Sequence, residues 1–176
     1  MDSPYQNLTD EPQQRFAFAP MSTGMRVATW LGLGLLAVAA GAIPLLTGEA
    51  QLTLVLVVPI VALTFVLVYL FYRPTAFTVG EDGLTIRWPL RRLTIPHDAI
   101  VSVRQLPREE MGRAMRLVGA GGLFGNFGLF RSKHLGNFTM YTSSSDGLVL
   151  ITRHNARPLV ISPDDPEAFV AAVDAL

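Results

Sequence analysis

Two long apolar stretches without a charged residue dominate the first half of the chain, at residues 27–46 and 52–72. A helix of about 20 residues, rising about 1.5 Å per residue, spans the roughly 30 Å hydrocarbon core of a bilayer. The rest of this small protein could not surround two such segments. The pattern therefore predicts two transmembrane helices, 27–46 and 52–72.

The short connection between these stretches, residues 47–51, allows only a tight turn, so the helices are predicted to form an antiparallel hairpin. Arginines precede the first stretch and follow the second, whereas the turn carries only the acidic Glu49. The positive-inside rule then places both termini in the cytoplasm, in a multi-pass protein of the inner (cytoplasmic) membrane. A cleaved signal peptide is the alternative for the first stretch, but acidic residues within 1–26 and the length of the apolar run argue against it.

From residue 73 onward the pattern changes to an alternation of apolar and polar positions with a period of two. Phe77 and Val79 flank a threonine, and similar short runs recur up to Ile161. Turn sequences such as 80–83 and 144–147 separate them. The pattern predicts about seven antiparallel strands in a sandwich or small barrel.

The end of the chain predicts one helix. Residues 162–167 supply capping side chains, an early proline and acidic groups, and an apolar stripe follows up to Leu176. This helix is expected to cover an open end of the sheet structure. The prediction is thus an α+β chain with a flexible cytosolic tail (1–26), a transmembrane helical hairpin (27–72) and a β domain (73–176).

The order of these features resembles the bacterial pleckstrin-homology (PH) domain family over residues 74–176. The resemblance is carried by residues 77–79 with 83–86, by the step 95–100 into the next strand, and by 160–169, which open the helix. It implies a PH-like fold, a position behind one or two transmembrane helices, and a binding or assembly role that includes ring-like self-association. The first hairpin turn departs from phosphoinositide-binding PH domains, since its Glu81 and Asp82 would repel a phosphorylated headgroup.

Composition agrees with a membrane protein and excludes several function classes. Half of the chain (50%) is hydrophobic and 16% is charged, against about 25% in average soluble domains. Basic and acidic residues number 14 each, so no net field attracts nucleic acid. The chain has no cysteine, which excludes disulfides, thiolate metal sites and thiol nucleophiles.

The segment 119–134 is the candidate binding site, because glycine, aromatic and basic residues alternate closely in it. One interpretation is a glycine-rich loop or bulged strand whose phenylalanines fill the core. The other is an exposed patch that contacts a partner or the membrane. In that second interpretation, the candidate partner-binding residues are Phe124, Phe127, Phe130, Arg131 and Lys133.

No pattern for catalysis or metal binding is found. His97, His134 and His154 fall in separate turns without the spacing of a metal site. A dinucleotide site would need a βαβ unit, and the adjacent acidic pairs diverge on any regular element. We therefore expect no enzyme activity, catalytic residue, metal, cofactor or small-molecule substrate.

The expected function is a membrane-anchored interaction or scaffold module that faces the cytoplasm. Its partners would be the lipid bilayer and a membrane protein, a peptide or its own copies, but not nucleic acid. One alternative is a peripheral sensor of anionic lipid that uses Arg91, Arg92, Arg131 and Lys133. Another is a non-catalytic subunit of a membrane enzyme complex.

Overall fold

A computed structural model of the chain describes residues 14–47, 56, 58–121 and 125–176. The strands in this part of the chain are β1 (Gln14–Ala17), β2 (Ala76–Gly80), β3 (Gly83–Arg87), β4 (Arg92–Ile95), β5 (Ile100–Leu106), β6 (Met115–Gly121), β7 (Asn126–Ser132), β8 (Gly136–Thr142), β9 (Leu148–Arg153) and β10 (Leu159–Ile161). The helices are α1 (Thr23–Thr47), α2 (Val58–Tyr72), α3 (Arg108–Met111) and α4 (Pro166–Asp174), and a 3₁₀ turn at His97–Ala99 precedes β5.

The strands form two sheets. The first has the order β1-β2-β3-β4, and the second has the order β5-β9-β10-β8-β7-β6. Neighbouring strands are antiparallel except β8 and β10, where Leu159 lies beside Thr139 and Ile161 beside Tyr141. The predicted α+β class with antiparallel sheets is confirmed. The parallel pair was not expected. It arises because β10 lies between β8 and β9, and β10 is antiparallel to β9 but parallel to β8.

The main core lies where the two sheets face each other. Alternating side chains of β2, β3 and β9, such as Phe77, Ile86 and Ile151, are fully buried there. Helix α4 closes one end: Phe169 is fully buried, and its ring centroid lies 6.0 Å from that of Phe77 in an edge-on contact. The Asp165 side chain accepts a hydrogen bond from the Ala168 N–H, which fixes the start of the predicted C-terminal helix.

Residues 14–22, expected in a flexible tail, instead belong to the β domain. Strand β1 pairs antiparallel with β2, which places Phe16 opposite Phe77. Phe16 and Phe18 alternate with Arg15 and Ala17, so this short segment buries both rings. The polar composition of residues 1–26 hides this two-residue pattern. Residues 1–13 lie outside the described part of the chain.

Backbone hydrogen bonds continue this attachment up to the first helix. The Asp164 N–H donates to the Ala17 carbonyl at 3.1 Å, and the Ala19 N–H donates to the Ser162 carbonyl at 3.0 Å. The Ser22 N–H donates to the Ser143 carbonyl at 3.1 Å. The chain therefore enters α1 directly from the surface of the β domain.

Large apolar side chains are exposed along both N-terminal helices. They include Trp30, Leu31 and Leu35 on α1, and Ile60 and Leu63 on α2. In the part of the chain that the structure describes, no helix combines the length and the apolarity that crossing a membrane requires. The predicted transmembrane helices are therefore not supported, and residues 48–51 of the predicted turn lie outside the described residues.

Candidate functional site

The phenylalanines of the predicted binding segment lie in the core. Phe127 is 0% exposed and Phe130 is 5% exposed. Three positions apart on β7, the two rings point to opposite faces of the sheet. Phe127 lies between the sheets near Phe18, whereas Phe130 stacks on Phe138 with ring centroids 6.2 Å apart. The exposed-patch interpretation is therefore wrong for both rings, and Phe124 lies outside the described residues.

Both faces of the second sheet are covered at this point, which explains the burial of two aromatic residues on one strand. A second apolar cluster packs on the face opposite the main core, and Leu106, Phe138, Met140, Leu148, Leu150 and Val160 join Phe130 in it. Partly buried Met111 and Leu135 cover this cluster. The second face is thus closed by residues that the period-two pattern of β7 cannot reveal.

The basic residues of the segment are exposed, and they lie beside an apolar strand edge. Arg131 faces Met115 across the β6–β7 pair, and Lys133 follows in the next turn. Met115 is 70% exposed and Val118 is 68% exposed, with the half-exposed Leu117 between them. The sequence did not predict these exposed side chains, because no strand was expected to begin near Met115. The apolar Met115, Leu117 and Val118, interrupted only by Arg116, were the signal that could have identified the strand.

Strand β6 is the last strand of its sheet, so one of its backbone edges is not used in the pairing of that sheet. A bulge at Leu117 interrupts its pairing with β7. Beyond the bulge, Gly119 lies opposite Gly128 with φ values of 125° and 122°, and a Cβ at either position would overlap the facing backbone. The two glycines therefore allow β6 and β7 to approach closely where an L side chain would separate them.

A second feature is the basic hairpin that joins β3 to β4. Arg87 lies directly opposite Arg92 in the strand register, and Arg91 is in the turn between them. The Arg91 guanidinium carbon is 4.3 Å from the ring centroid of the buried Trp88, at cation–π distance. Residues 87–92 line a shallow depression of about 390 Å³. Leu90, at the tip, is 62% exposed.

This hairpin is attached to the end of α2. Arg91 Nη2 donates a hydrogen bond to the Phe71 carbonyl at 3.1 Å, and the Thr75 N–H donates to the Arg87 carbonyl at 2.7 Å. Arg73 extends over the Phe18 ring, with its guanidinium carbon 6.0 Å from the ring centroid. The segment that leads into α1 and the segment that leaves α2 are thus in contact on the β domain.

Perturbed titratable groups lie away from both features. The Arg104 guanidinium pairs with the Glu110 carboxylate, with a 2.8 Å hydrogen bond from Nη1 to Oε2. This hydrogen bond lowers the pKa of Glu110 and raises that of Arg104. Partial burial lowers the pKa of Arg153. Within the described residues, no three His, Asp or Glu side chains are placed to hold a metal ion.

Comparison with known proteins gives one match. A family model described as a bacterial PH domain matches residues 75–176, which agrees with the resemblance noted from the sequence. No curated protein and no solved structure is significantly similar to the chain. The matched region begins just before β2, so it leaves β1, α1 and α2 outside.

Proposed function

Since the chain belongs to the bacterial PH domain family, we propose that it is a membrane-anchored interaction module whose β domain faces the cytoplasm. A PH-like domain indicates an interaction or scaffold role in general terms. The proposal adds that α1 and α2 hold the domain at the inner membrane. It also adds that the domain binds a membrane protein, a peptide or its own copies there.

The anchoring rests on one observation: two helices with exposed apolar side chains enter and leave the same part of the β domain. Neither residues 27–46 nor residues 52–72 contain a charge. Exposing apolar surface to water costs about 25 cal/mol per Å², so side chains such as Trp30, Leu35 and Leu63 favour a lipid environment.

The attachment of the helices supports the proposed orientation. Arg73 and Phe18 are in contact, so the chain that enters α1 and the chain that leaves α2 lie on the same side of the helices. Arg26 in the first turn of α1 and Arg73 just after α2 lie at that side. Positive charge next to membrane spans favours the cytoplasmic face.

The edge of β6 is the surface that best fits a protein partner. An exposed strand edge can accept a further strand through backbone hydrogen bonds, with side-chain contacts supplying selectivity. Met115, Leu117 and Val118 offer an apolar surface beside that edge. Arg131 and Lys133 lie at the margin of this apolar surface. They favour a partner segment that combines apolar and acidic residues.

Anchoring is tested by washing membranes that contain the full chain with alkaline carbonate. We expect the protein to sediment with the membranes, because carbonate strips peripheral proteins and leaves lipid-embedded helices in place. Release of the full chain as a soluble species would contradict the anchoring.

The β6 surface is tested by cross-linking in intact membranes. The chain has no cysteine, so Val118→Cys introduces a single reactive site on β6, and Asp174→Cys on the exposed end of α4 is the matched control. We expect Val118→Cys to give a defined cross-linked product, either a dimer or a complex with a second protein, that Met115→Lys abolishes. Equal products from both cysteines, or none from Val118→Cys, would contradict the assignment of this edge.

A further inference from the structure

We infer that the β3–β4 hairpin binds the headgroups of anionic phospholipids and so fixes the orientation of the β domain against the bilayer. The inference rests on the proposed anchoring, because it requires the end of α2 to lie at the membrane surface. The hairpin is a different surface from the β6 edge, and its ligand is a lipid headgroup rather than a protein segment.

Unbalanced positive charge is the first observation. Arg87 and Arg92 lie directly opposite each other across β3 and β4, an arrangement that like charges make unfavourable. Arg91 adds a third guanidinium in the adjoining turn. No described carboxylate lies within 4.0 Å of these three groups, since the ion pair found in this part of the chain joins Arg104 to Glu110. A bound phosphate group would supply the missing negative charge.

The shape of the hairpin suits a headgroup at a membrane surface. The depression lined by residues 87–92 is shallow and about 390 Å³ in volume, so a headgroup can reach all three arginines from outside. Arg91 is held in place by the Trp88 ring and by the Phe71 carbonyl. Leu90 projects at the tip with 62% of its surface exposed. Basic side chains next to an exposed leucine match the mixed polar and apolar character of the interfacial layer.

The position of the hairpin relative to α2 gives the next observation. Arg91 bonds to Phe71, one residue before the end of α2, so the hairpin and the end of this apolar helix lie at the same level. With α2 in the bilayer, that level is the headgroup region. Phosphate oxygens would then be the nearest anions to all three guanidinium groups.

The charge distribution along β3 supports the same orientation. The turn at the Gly83 end of this strand carries Glu81 and Asp82, whereas the Arg87 end carries the basic hairpin. At about 3.3 Å per residue, the two ends are about 13 Å apart. An anionic surface attracts one end and repels the other, so it aligns the domain with Leu90 toward the lipid.

The test uses the full chain in nanodiscs of phosphatidylcholine alone or mixed with phosphatidylglycerol. Leu90→Cys carries a polarity-sensitive dye as the only cysteine derivative in the chain. We expect the dye to report an apolar environment when phosphatidylglycerol is present, and added salt to weaken this response.

The matched variants are Arg87→Gln with Arg92→Gln, and Arg157→Gln as a control at an exposed arginine elsewhere. An arginine near an anionic surface contributes about fivefold to binding. The double substitution should therefore lower the docking equilibrium by about 25-fold, and the control should leave it unchanged. Thermal unfolding should show the double variant to be no less stable, since it removes a like-charged pair.

The two possible failures are distinguishable. Incorporation into the nanodiscs is measured separately by co-purification, and a chain that does not incorporate would overturn both the anchoring and this inference. Normal incorporation with the same dye response in both lipid compositions would overturn the inference alone. A response that Arg157→Gln reduces as much as the double substitution would also overturn it, because it would indicate general charge attraction.

Discussion

At the scale of single residues, Phe127 links parts of the molecule that are far apart in sequence. Its fully buried ring lies 6.2 Å from that of Phe18, which in turn lies 5.8 Å from that of Phe77. Tilted contacts at these distances add to the free energy gained from burying the rings. One side chain of β7 therefore stabilises both sheets and the segment that leads into α1.

Replacing the Phe127 ring tests whether this residue stabilises the core, as its burial indicates, or serves only in binding. We expect Phe127→Ala to lower the free energy of unfolding by about 3–5 kcal/mol, because it leaves a cavity between the sheets. Lys133→Ala, in the same predicted segment but exposed, should change it by less than about 0.5 kcal/mol. Thermal unfolding of the full chain in detergent, followed by near-ultraviolet circular dichroism, measures both. An unchanged midpoint for Phe127→Ala would contradict the core assignment.

The sequence could predict that Phe127 and Phe130 belong to a strand, but it left open whether their rings fill the core or form an exposed patch. Alternation along β7 defines two faces, and only contacts from distant elements decide whether each face is covered. Phe138 of β8 and Val160 of β10 supply that cover for Phe130. Arg131 and Lys133 are exposed, and their part in binding a partner stays a prediction.

At the scale of elements, β1 is the least expected part of the fold and is closely packed. It extends the first sheet by one strand, and its Phe16 ring makes an edge-on contact with Phe169 of α4, with centroids 5.3 Å apart. The strand therefore connects the first sheet to the helix that closes the core. It is only four residues long, too short for its pattern to stand out against a polar tail.

The contribution of β1 to the stability of the fold is measured with the substitution Phe16→Ala. Arg15→Ala on the same strand is the control. We expect the first substitution to lower the free energy of unfolding by about 3 kcal/mol, since it removes a buried ring from contact with α4. The exposed Arg15 should contribute less than about 0.5 kcal/mol. Urea unfolding of the full chain in detergent distinguishes them. Equal midpoints for the two variants would show that the strand is dispensable.

The ion pair between β5 and α3 should make the stability depend on pH in a defined direction. Arg104 lowers the pKa of Glu110 in the folded protein below its unfolded value. The pair therefore stabilises the fold above the usual pKa of a glutamate, and this contribution is lost as the pH falls through the lowered folded pKa. The wild type should unfold at a higher temperature than Glu110→Gln at neutral pH, and the difference should vanish in acid.

Glu109→Gln, a substitution of the neighbouring exposed glutamate, is the control for this effect. This variant keeps the Arg104–Glu110 ion pair, so its unfolding temperature should stay close to that of the wild type at neutral pH. A Glu110→Gln difference that persists in strong acid would mean that the carboxylate does not act through its charge.

Elements with a regular hydrophobic period were predictable, and those that depend on distant partners were not. The strands β2 and β3 and the helix α4 follow from the alternation and from the capping sequence. Strand β6 was not predicted because Arg116 and two glycines interrupt its apolar residues. The parallel pairing of β8 with β10 depends on how the chain crosses between strands, which no local pattern encodes.

At the scale of the whole molecule, the β domain is assembled from chain on both sides of the two helices. Residues 14–22 come before α1, and residues 73–176 follow α2. The family match covers only the second of these parts, from residue 75. Ser22, just before α1, and Phe71, near the end of α2, are both hydrogen-bonded to the β domain. These bonds leave the β domain little freedom to move away from the two helices.

The proposed topology is tested with single cysteines and a membrane-impermeant maleimide. Glu49→Cys lies in the predicted turn and should react from outside the cytoplasmic membrane, whereas Ser145→Cys in the β domain should react only after the membrane is permeabilised. The absence of native cysteine makes each signal specific. Reaction of Ser145→Cys from outside would reverse the assigned orientation.

The pairing of β1 with β2 also has a consequence for how the protein is made. Strand β1 leaves the ribosome before both helices, and its partner β2 leaves after them. With the helices in the bilayer as proposed, the first sheet can be completed only by a chain that has returned to the side on which it started. Under that proposal, a molecule that inserts only one helix would leave Phe77 and Phe169 without Phe16, and its first sheet would lack β1.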